Sequence, residues 1–210
     1  VVADVSAFQW NDGDWMKERH RFDDRKQPVS IYETSLEEWK SAEELVEFLA
    51  EEDFTHVELH PVMEYLDDIT GGYSTYAYYA PTSRFGSVTD FQKLVDELHQ
   101  AGVGVILDWT PAQFPRYASG LEKFDGTALY EYPNSAVGVS EWGSCNFMHS
   151  RGEVRSFLQS AADYWLEEFH FDGLRMDAIS NLIYWQGNPA RGVNKDAVAF
   201  LQNMNPNLLL

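Results

Sequence analysis

Strand-like and helix-like segments alternate along this chain, and this alternation constrains the fold more than any other feature of the sequence. Repeated strand–helix units build a parallel sheet covered by helices. The almost wholly apolar run at 103–107 fits such a sheet, because a strand covered on both faces has no polar side. Strand patterns lie at 28–34, 55–59, 103–107 and 171–178, helix patterns at 41–51, 89–102, 150–166 and 194–204, and a fifth strand pattern opens at 207–210.

The connections between these segments are asymmetric in length. Helix leads back to strand through only a few residues, as at 53–54 and 101–102. Strand leads on to helix through long, aromatic connections at 62–88 and 109–149, which in compact proteins are usually binding loops or lids. The sequence therefore predicts an α/β protein, a partial (β/α)8 barrel of the TIM type with about four to five βα units and long βα loops.

Four ionisable side chains lie at or just past the ends of the predicted strands. They are Glu33, His60, Asp108 and Asp177. Because parallel strands end at one edge of a sheet, these side chains should converge there, where a β/α barrel holds its active site. A doubly wound sheet places ligands at the same edge, but no Gly-x-Gly-x-x-Gly follows the first strand, which weighs against dinucleotide binding.

The segment at 171–178 carries the strongest candidate for chemistry. Side chains two apart on a strand share a face, so Arg175 and Asp177 should project together, away from Leu174 and Met176. A guanidinium favours the ionised form of a neighbouring carboxyl, and an ionised carboxylate at a strand end is a candidate nucleophile. An ion pair that only fastens the strand end explains the same two residues.

Two helix starts are predicted from the capping-box pattern, in which a hydroxyl residue is followed three positions later by Glu or Gln. Thr89 with Gln92 and Ser150 with Glu153 fit this pattern. Gly102 stands where a helix C-cap glycine belongs. These positions set the expected bounds of the second and third helices.

Composition limits the partners of the chain. The net charge of −19 would repel the phosphates of nucleic acids and of anionic membranes, so neither is expected to bind. No apolar run approaches the length of a membrane span, and no basic-then-apolar leader opens the chain. Cys145 is the only cysteine, so no intrachain disulfide is expected, and a reducing, cytoplasmic compartment is the default.

A metal site has one candidate. His56 and His60 flank Glu58 on the second strand pattern, and imidazole and carboxylate groups are both metal ligands. Satisfied polar side chains inside a barrel explain the three residues equally well. Neither a metal nor a cofactor is predicted.

Several short stretches, spread through nearly the whole chain, identify a family. YYAPTSRFG at 78–86 and FDGTALYEY at 124–132 resemble the 1,4-α-glucan branching enzymes, which are members of the α-amylase superfamily (glycoside hydrolase family 13). GLRMDA at 173–178 suits any member of that superfamily. Further similar stretches are IYET at 31–34, FTHVEL at 54–59, PVME at 61–64 and GVILDW at 104–109.

The resemblance implies a role for each of five residues. By position, Asp177 would be the nucleophile that forms a covalent glycosyl-enzyme, and Arg175 would orient it and keep it charged. Asp108 would brace the same site, and Tyr73 would stack under the sugar at the cleavage point. Gln113 stands where the family has a histidine that contacts the sugar.

The resemblance also implies a reaction. A segment of α-1,4-glucan, from glycogen or amylose, would be transferred to a 6-hydroxyl by a retaining double displacement to make an α-1,6 branch. The tyrosines at 73, 76, 78 and 79 would offer a surface for this glucan, although core packing also explains them.

Two departures leave the activity of this chain open. The acid/base glutamate of the family follows the fifth strand, and the sequence stops at Leu210. We therefore expect these 210 residues alone neither to branch nor to hydrolyse glucan, and Gln113 in place of the histidine points the same way. The alternatives are a degenerate, non-catalytic glucan-binding homologue and another hydrolase of the superfamily.

The chain should divide into two parts. Residues 1–27 show no sustained period and are interpreted as a linker or docking arm, and residues 28–210 as the N-terminal part of the catalytic barrel. About four βα units cannot close a barrel of eight. Unpaired groups on the first and last strands are templates for pairing, so self-association through the open barrel edges is expected.

Overall fold

The computed structural model describes residues 4–19 and 26–205, and the fifth strand predicted at 207–210 lies outside this part of the chain. The strands are β1 (Ile31–Thr34), β2 (His56–Leu59), β3 (Met63–Tyr65), β4 (Thr75–Pro81), β5 (Gly104–Trp109), β6 (Gln113–Phe114), β7 (Cys145–Asn146) and β8 (Gly173–Met176). The α-helices are α1 (Gly13–Glu18), α2 (Ala42–Glu51), α3 (Val88–Gln100), α4 (Ser135–Gly138), α5 (Gly152–Glu168), α6 (Ile179–Ile183) and α7 (Lys195–Met204).

A four-stranded parallel sheet in the order β1-β2-β5-β8 forms the centre of the fold. Helix α2 connects β1 to β2, α3 lies between β2 and β5, and α5 lies between β5 and β8. Each neighbouring pair of strands is thus joined by a helical crossover, which parallel pairing requires. The strand–helix alternation predicted from the sequence is confirmed.

The two faces of the sheet carry different residues. Val57, Leu59, Val105 and Leu107 are fully buried in one apolar cluster with residues of α2, α3 and α5. Residues between them in sequence, such as Glu58, point to the opposite face, because side chains alternate along a strand. One face therefore packs under the helices, and the other carries the polar side chains.

Aromatic side chains fill the space between the sheet and the long helix α5. Trp165 is fully buried, and its ring contacts those of Phe91, Phe169 and Phe171. Its indole Nε1 donates a hydrogen bond of 2.8 Å to the carbonyl of Tyr78 on β4. This bond fastens the loop strand β4 to the helix layer.

Both predicted capping boxes are wrong. Helix α3 begins two residues before the prediction: Ser87 is the N-cap, and it forms a reciprocal capping box with Asp90. Helix α5 has Arg151 as its N-cap and no side-chain cap. The C-terminal prediction holds, because Gly102 follows α3 with a φ of +80°, which only glycine adopts without strain.

The long strand-to-helix connections contain their own small sheets, which the sequence interpretation treated only as connections. Strands β3 and β4 pair as an antiparallel hairpin between β2 and α3. Strands β6 and β7 pair in the same way between β5 and α5. These pairs hold the two long loops at the carboxyl end of the parallel sheet.

Residues 4–19 fold against the opposite end of the sheet. Asn11 donates from its backbone N to Asp96 Oδ1 of α3 at 2.7 Å, and Gln92 of the same helix donates to the carbonyl of Val5 at 2.9 Å. Helix α1 lies within this segment. None of the described helices has the length and apolar character needed to cross a lipid bilayer.

Candidate active site

The carboxyl edge of the parallel sheet gathers the polar side chains expected there. Asp108 on β5 pairs in register with Arg175 on β8, and Glu33 on β1 pairs with Glu58 on β2. Asp177 follows β8 directly, and its backbone N donates to the carbonyl of Trp109 at 2.8 Å. The convergence predicted from the strand ends is therefore present.

Arg175 is the centre of this group. Its Nη1 donates to Oδ1 of Asp108 at 2.9 Å and to Oδ1 of Asp177 at 3.0 Å. Its Nε lies 3.8 Å from Oε1 of Glu58. One guanidinium thus orients two carboxylates and faces a third, and the fixed planar geometry of arginine suits this arrangement.

Tyr73 completes the contacts of Asp108 from the other side. Its hydroxyl donates to Oδ2 of Asp108 at 2.5 Å. The Asp108 side chain is fully buried, whereas that of Asp177 is 22% exposed and that of Arg175 41% exposed. Asp108 is therefore enclosed between its two donors, and Asp177 is the carboxylate that a ligand can reach.

Burial and neighbouring charges set the ionisation of the group. Burial raises the pKa of Asp108, although Tyr73 and Arg175 both donate to it. Burial and the carboxylate of Asp108 raise the pKa of the Tyr73 hydroxyl, which therefore stays a donor at neutral pH. The hydrogen bond to Asp108 raises the pKa of Arg175. Burial, with Glu33 and Asp108 nearby, raises the pKa of Glu58.

The local backbone explains why Asp177 sits where it does. The residue after it, Ala178, has a φ of +51°, in the left-handed region that non-glycine residues seldom occupy. The chain therefore turns sharply after Asp177, and α6 begins at Ile179. Such a turn holds the carboxylate at the strand end, with its neighbours directed elsewhere.

Gln113 is placed differently from the other four residues predicted for the site. It lies on β6, paired with Asn146, and its side chain is largely buried. Its backbone carbonyl accepts a 2.8 Å hydrogen bond from Tyr78, and its Oε1 is buried with no partner among the described residues. No hydrogen bond joins it to Arg175 or to the carboxylates in the described part of the chain.

The histidines that suggested a metal site lie apart. His60 Nε2 is 3.0 Å from Oε1 of Glu33 at the carboxyl edge. The His56 ring packs over Gly104, at the other end of the strands. Among residues 4–19 and 26–205, no three histidine, cysteine or acidic side chains are placed to hold a metal ion.

The tyrosines of the β3–β4 connection also divide. Tyr73 alone contacts Asp108, and Tyr78 is buried in the core, where its hydroxyl donates to two carbonyls. Tyr79 donates to the carbonyl of Phe157 on α5. Tyr76 is half-buried beside Tyr117. Core packing therefore accounts for Tyr78, whereas Tyr79 is 38% exposed and lies against α5.

Solved structures show which fold this chain shares. A putative α-amylase from Salmonella typhimurium superposes with a TM-score of 0.72 at 23% identity, covering 98% of this chain and 33% of that one. The α-amylase of Geobacillus thermoleovorans, complexed with acarbose, gives a TM-score of 0.70 at 19% identity, covering 86% of this chain and 43% of that one. The parallel sheet and its helices are thus part of an α-amylase-type (β/α)8 barrel.

Sequence relatives identify the family within this class. The 1,4-α-glucan branching enzyme GlgB of Gloeobacter violaceus is 41% identical over 235 residues, covering 100% of this chain and 32% of that protein. Those of Frankia casuarinae and Thermobifida fusca are 47% and 44% identical over 222 residues, each covering 97% of this chain and 27% and 30% of those proteins. No protein-family model matches the chain.

The chain belongs to the 1,4-α-glucan branching enzyme family and spans about a third of the length of these relatives. The family expected from the sequence motifs is therefore confirmed.

Proposed function

We propose that this chain supplies the nucleophile half of a glucan branching site, with Asp177 as the nucleophile. The observation that carries the proposal is the shared Nη1 of Arg175, which holds Asp108 and Asp177 in fixed positions at the carboxyl edge of the sheet. Asp177 is the more exposed of the two carboxylates, so it is the one available to a sugar. The relatives named above, which are branching enzymes, support the choice of substrate.

In the first chemical step, one bond forms and one bond breaks. A carboxylate oxygen of Asp177 bonds to the anomeric carbon of an α-1,4-linked glucose while the glycosidic C–O bond breaks. The leaving oxygen takes a proton from an acid about 5–5.5 Å from the nucleophile, as retaining enzymes require. In the second step, a 6-hydroxyl of another chain attacks the same carbon while the bond between Asp177 and that carbon breaks, and the hydroxyl proton returns to the acid/base residue, which makes the α-1,6 branch.

The surrounding residues support this step in different ways. Arg175 keeps Asp177 oriented, and Asp108 fixes Arg175 from the buried side. Tyr73, bound to Asp108, offers its ring to the apolar face of the sugar. The buried, unpartnered Oε1 of Gln113 can accept from a sugar hydroxyl, and its amide can donate.

The proposal extends to location and assembly. A cytoplasmic place in glycogen synthesis follows from the single cysteine and from the glucan chemistry. The strands β1 and β8 lie at the two edges of the parallel sheet, so pairing through these edges would carry any self-association. The net charge of −19 disfavours nucleic acid and membrane partners.

Covalent trapping tests the nucleophile directly. 5-Fluoro-α-glucosyl fluoride has a leaving group that needs little acid assistance, so glycosylation of Asp177 does not depend on the acid/base residue. We expect peptide mass spectrometry to find one added fluoroglucosyl group on Asp177. Asp177→Asn should remove it, and Asp163→Asn, the same change on the outer helix α5, should not.

The same experiment separates the alternatives. A degenerate, glucan-binding homologue would bind maltoheptaose without being labelled, and label on another carboxylate would reject Asp177 as the nucleophile. Once labelled protein is in hand, transfer of the sugar to a maltooligosaccharide rather than to water distinguishes a branching enzyme from a hydrolase of the superfamily.

A further inference from the structure

A buried cluster of charged side chains joins residues 8–19, called the arm, to the amino end of the parallel sheet. The arm residue Asp12 is 3% exposed, and His99, at the end of α3, is also 3% exposed. Trp15 Nε1 donates to Oδ1 of Asp172 at 2.9 Å, and Arg19 Nη1 donates to the carbonyl of Phe171 at 3.0 Å. This cluster lies at the opposite end of the strands from the candidate active site.

His99 makes two contacts that together fix its protonation. Its Nδ1 lies 2.8 Å from Oδ2 of Asp12, and its Nε2 lies 2.9 Å from Oδ2 of Asp172. Ionised carboxylates only accept hydrogen bonds, whereas a neutral imidazole has one donor nitrogen and one acceptor. Both nitrogens of His99 must therefore carry protons, and the ring is a buried imidazolium between a carboxylate of the arm and one of the sheet.

A second histidine strengthens the arm side of the cluster. His170 Nδ1 lies 2.7 Å from the same Oδ2 of Asp12. Trp10 stacks on the ring of His170 at 3.8 Å between centroids, and Trp15 stacks on that of His99 at 5.0 Å. A tryptophan of the arm thus covers each of the two histidines and keeps water from the ion pairs. At His99 the stacking also adds cation–π attraction.

Among the residues that the structure describes, the other charged groups around His99 balance without a spare cation. Arg19 Nη1 lies 3.8 Å from Oδ1 of Asp172. Asp96 on α3 is held by the backbone and side chain of Asn11. His56 on β2 feels the charge of Asp172, and burial lowers the pKa of His56, so this ring contributes no positive charge at neutral pH. Arg19 and a protonated His99 therefore match the carboxylates of Asp12 and Asp172.

We propose that the arm acts as a pH-dependent latch. Protonated His99 holds the arm against the amino end of the parallel sheet, and the arm detaches as the pH rises and His99 loses a proton. Loss of the proton leaves Asp12 and Asp172 as buried carboxylates without their shared cation, and breaking a buried ion pair by removing one partner is strongly destabilising. Undocking the arm returns Asp12 to water and removes that cost.

The direction of the pH dependence follows from linkage. The hydrogen bonds to Asp12 and Asp172 raise the pKa of His99 above its usual value despite its burial, and those of Asp12 with His170 and His99 lower the pKa of Asp12. The stabilisation of the docked arm by His99 is then fully present below about pH 6.5 and is lost as the pH rises through the raised pKa of His99. The stabilisation by Asp12 is fully present above about pH 4, so the docked arm is most stable between about pH 4 and pH 6.5.

Ring nitrogen NMR of the wild-type chain tests the charge on His99, and a His99→Gln variant serves only to assign the signals. With uniformly ¹⁵N-labelled protein, assigned by comparison with His99→Gln, we expect both His99 ring nitrogens to be protonated at pH 6.5 and to titrate later than the exposed reference value. A neutral ring at pH 6.5, with one bare nitrogen, overturns the proposal.

Hydrogen exchange tests the latch itself. Exchange of peptides from residues 8–19 is followed by mass spectrometry from pH 5.5 to pH 9 and corrected for the intrinsic rate, with α5 peptides as an internal reference. We expect the protection of the arm to fall as His99 titrates, by about tenfold for each unit by which its pKa is raised. Protection that stays constant through the titration of His99 overturns the proposal.

Two variants locate the effect. Asp12→Asn removes the arm carboxylate and should leave the arm poorly protected at every pH, while α5 stays protected. Asp14→Asn makes the same change on a fully exposed arm residue whose partner is Lys17 on the surface, and it should behave as wild type. Equal behaviour of the two variants overturns the role of Asp12, and the wild-type measurements decide the matter if Asp12→Asn does not fold.

Discussion

Tyr73 donates its hydroxyl to Asp108, and through this bond the loop that carries the β3–β4 hairpin is fastened to the parallel sheet. Tyr73 lies between β3 and β4, whereas Asp108 is the fully buried acid of β5. A residue of the long loop and a residue of the central sheet therefore share one hydrogen bond. The orientation of the Tyr73 ring is fixed by the same carboxylate that fixes Arg175.

Tyr73→Phe should destabilise the chain by about 1–3 kcal/mol, because Oδ2 of buried Asp108 loses its donor while the ring remains. Urea unfolding measures the change. Tyr117→Phe, the same deletion on a 39% exposed ring, should stay within about 0.5 kcal/mol of wild type. Equal effects of the two changes would show that the Tyr73 hydroxyl contributes nothing specific.

Gln113→His should increase the rate at which the fluorinated glucosyl fluoride labels Asp177. The imidazole restores the residue type expected from the family at a position that is largely buried on β6. A hydrogen bond to the sugar that is stronger from the imidazole than from the amide by about 1 kcal/mol corresponds to roughly fivefold in rate. Gln113→Ala is the control that removes the hydrogen-bonding group at this position, and Asp177 should be labelled more slowly in this variant than in the wild type. Identical rates for all three chains would remove residue 113 from the site.

Gly104→Ala should cost about 1–3 kcal/mol in unfolding free energy, because a Cβ there would lie 2.5 Å from Cδ2 of His56. Gly173→Ala is the matched control on β8, since its nearest neighbour, Ile106 Cγ1, would be at an ordinary 3.6 Å. His56→Ala in the Gly104→Ala background should recover part of the loss. A neutral Gly104→Ala would mean that the His56 ring moves freely.

Acid should destabilise the chain partly through His149. Burial lowers the pKa of this ring to about 4, and it is 2% exposed. The pKa of His149 is lower in the folded state than in the unfolded state. Its contribution to the free energy of unfolding is therefore fully present above about pH 6.5. This contribution is lost as the pH falls toward 4, by up to about 3 kcal/mol.

His149→Gln keeps a donor for the carbonyl of Pro111 but cannot titrate. Urea unfolding of both chains at pH 7.0 and pH 4.5 should therefore show a smaller acid loss in the variant, by about 2–3 kcal/mol. Equal losses in the two chains would contradict the prediction.

The sequence predicted which side chains meet at the carboxyl edge of the sheet better than it predicted the helix boundaries, for a physical reason. Strand alternation places Arg175 and Asp177 on one face whatever the exact strand bounds, and Arg175 donates to both Asp177 and Asp108. The residues of a capping box, in contrast, change when the N-cap shifts by only one or two positions. Ser87 with Asp90 forms the box at α3, two positions before Thr89, because the short Asp90 carboxylate reaches back to the Ser87 backbone.

The arm could not be placed from the sequence. Asp12 is separated from His99 by 87 residues and from His170 by 158, and no local pattern reveals which distant charge a carboxylate will meet. The segment also has no sustained apolar period, so it was interpreted as a linker or docking arm. Only the folded arrangement of α3 and the residues before β8 creates the surface that it covers.

The carboxyl edge of the sheet has an electrostatic consequence that its individual hydrogen bonds do not show. Glu58, Asp108 and Asp177 surround the guanidinium of Arg175, and Glu33 lies beside Glu58, so the local potential is negative. A neutral glucan gains little from such a potential in its ground state. The anomeric carbon of an oxocarbenium-like transition state carries positive charge, and the same potential lowers its energy selectively.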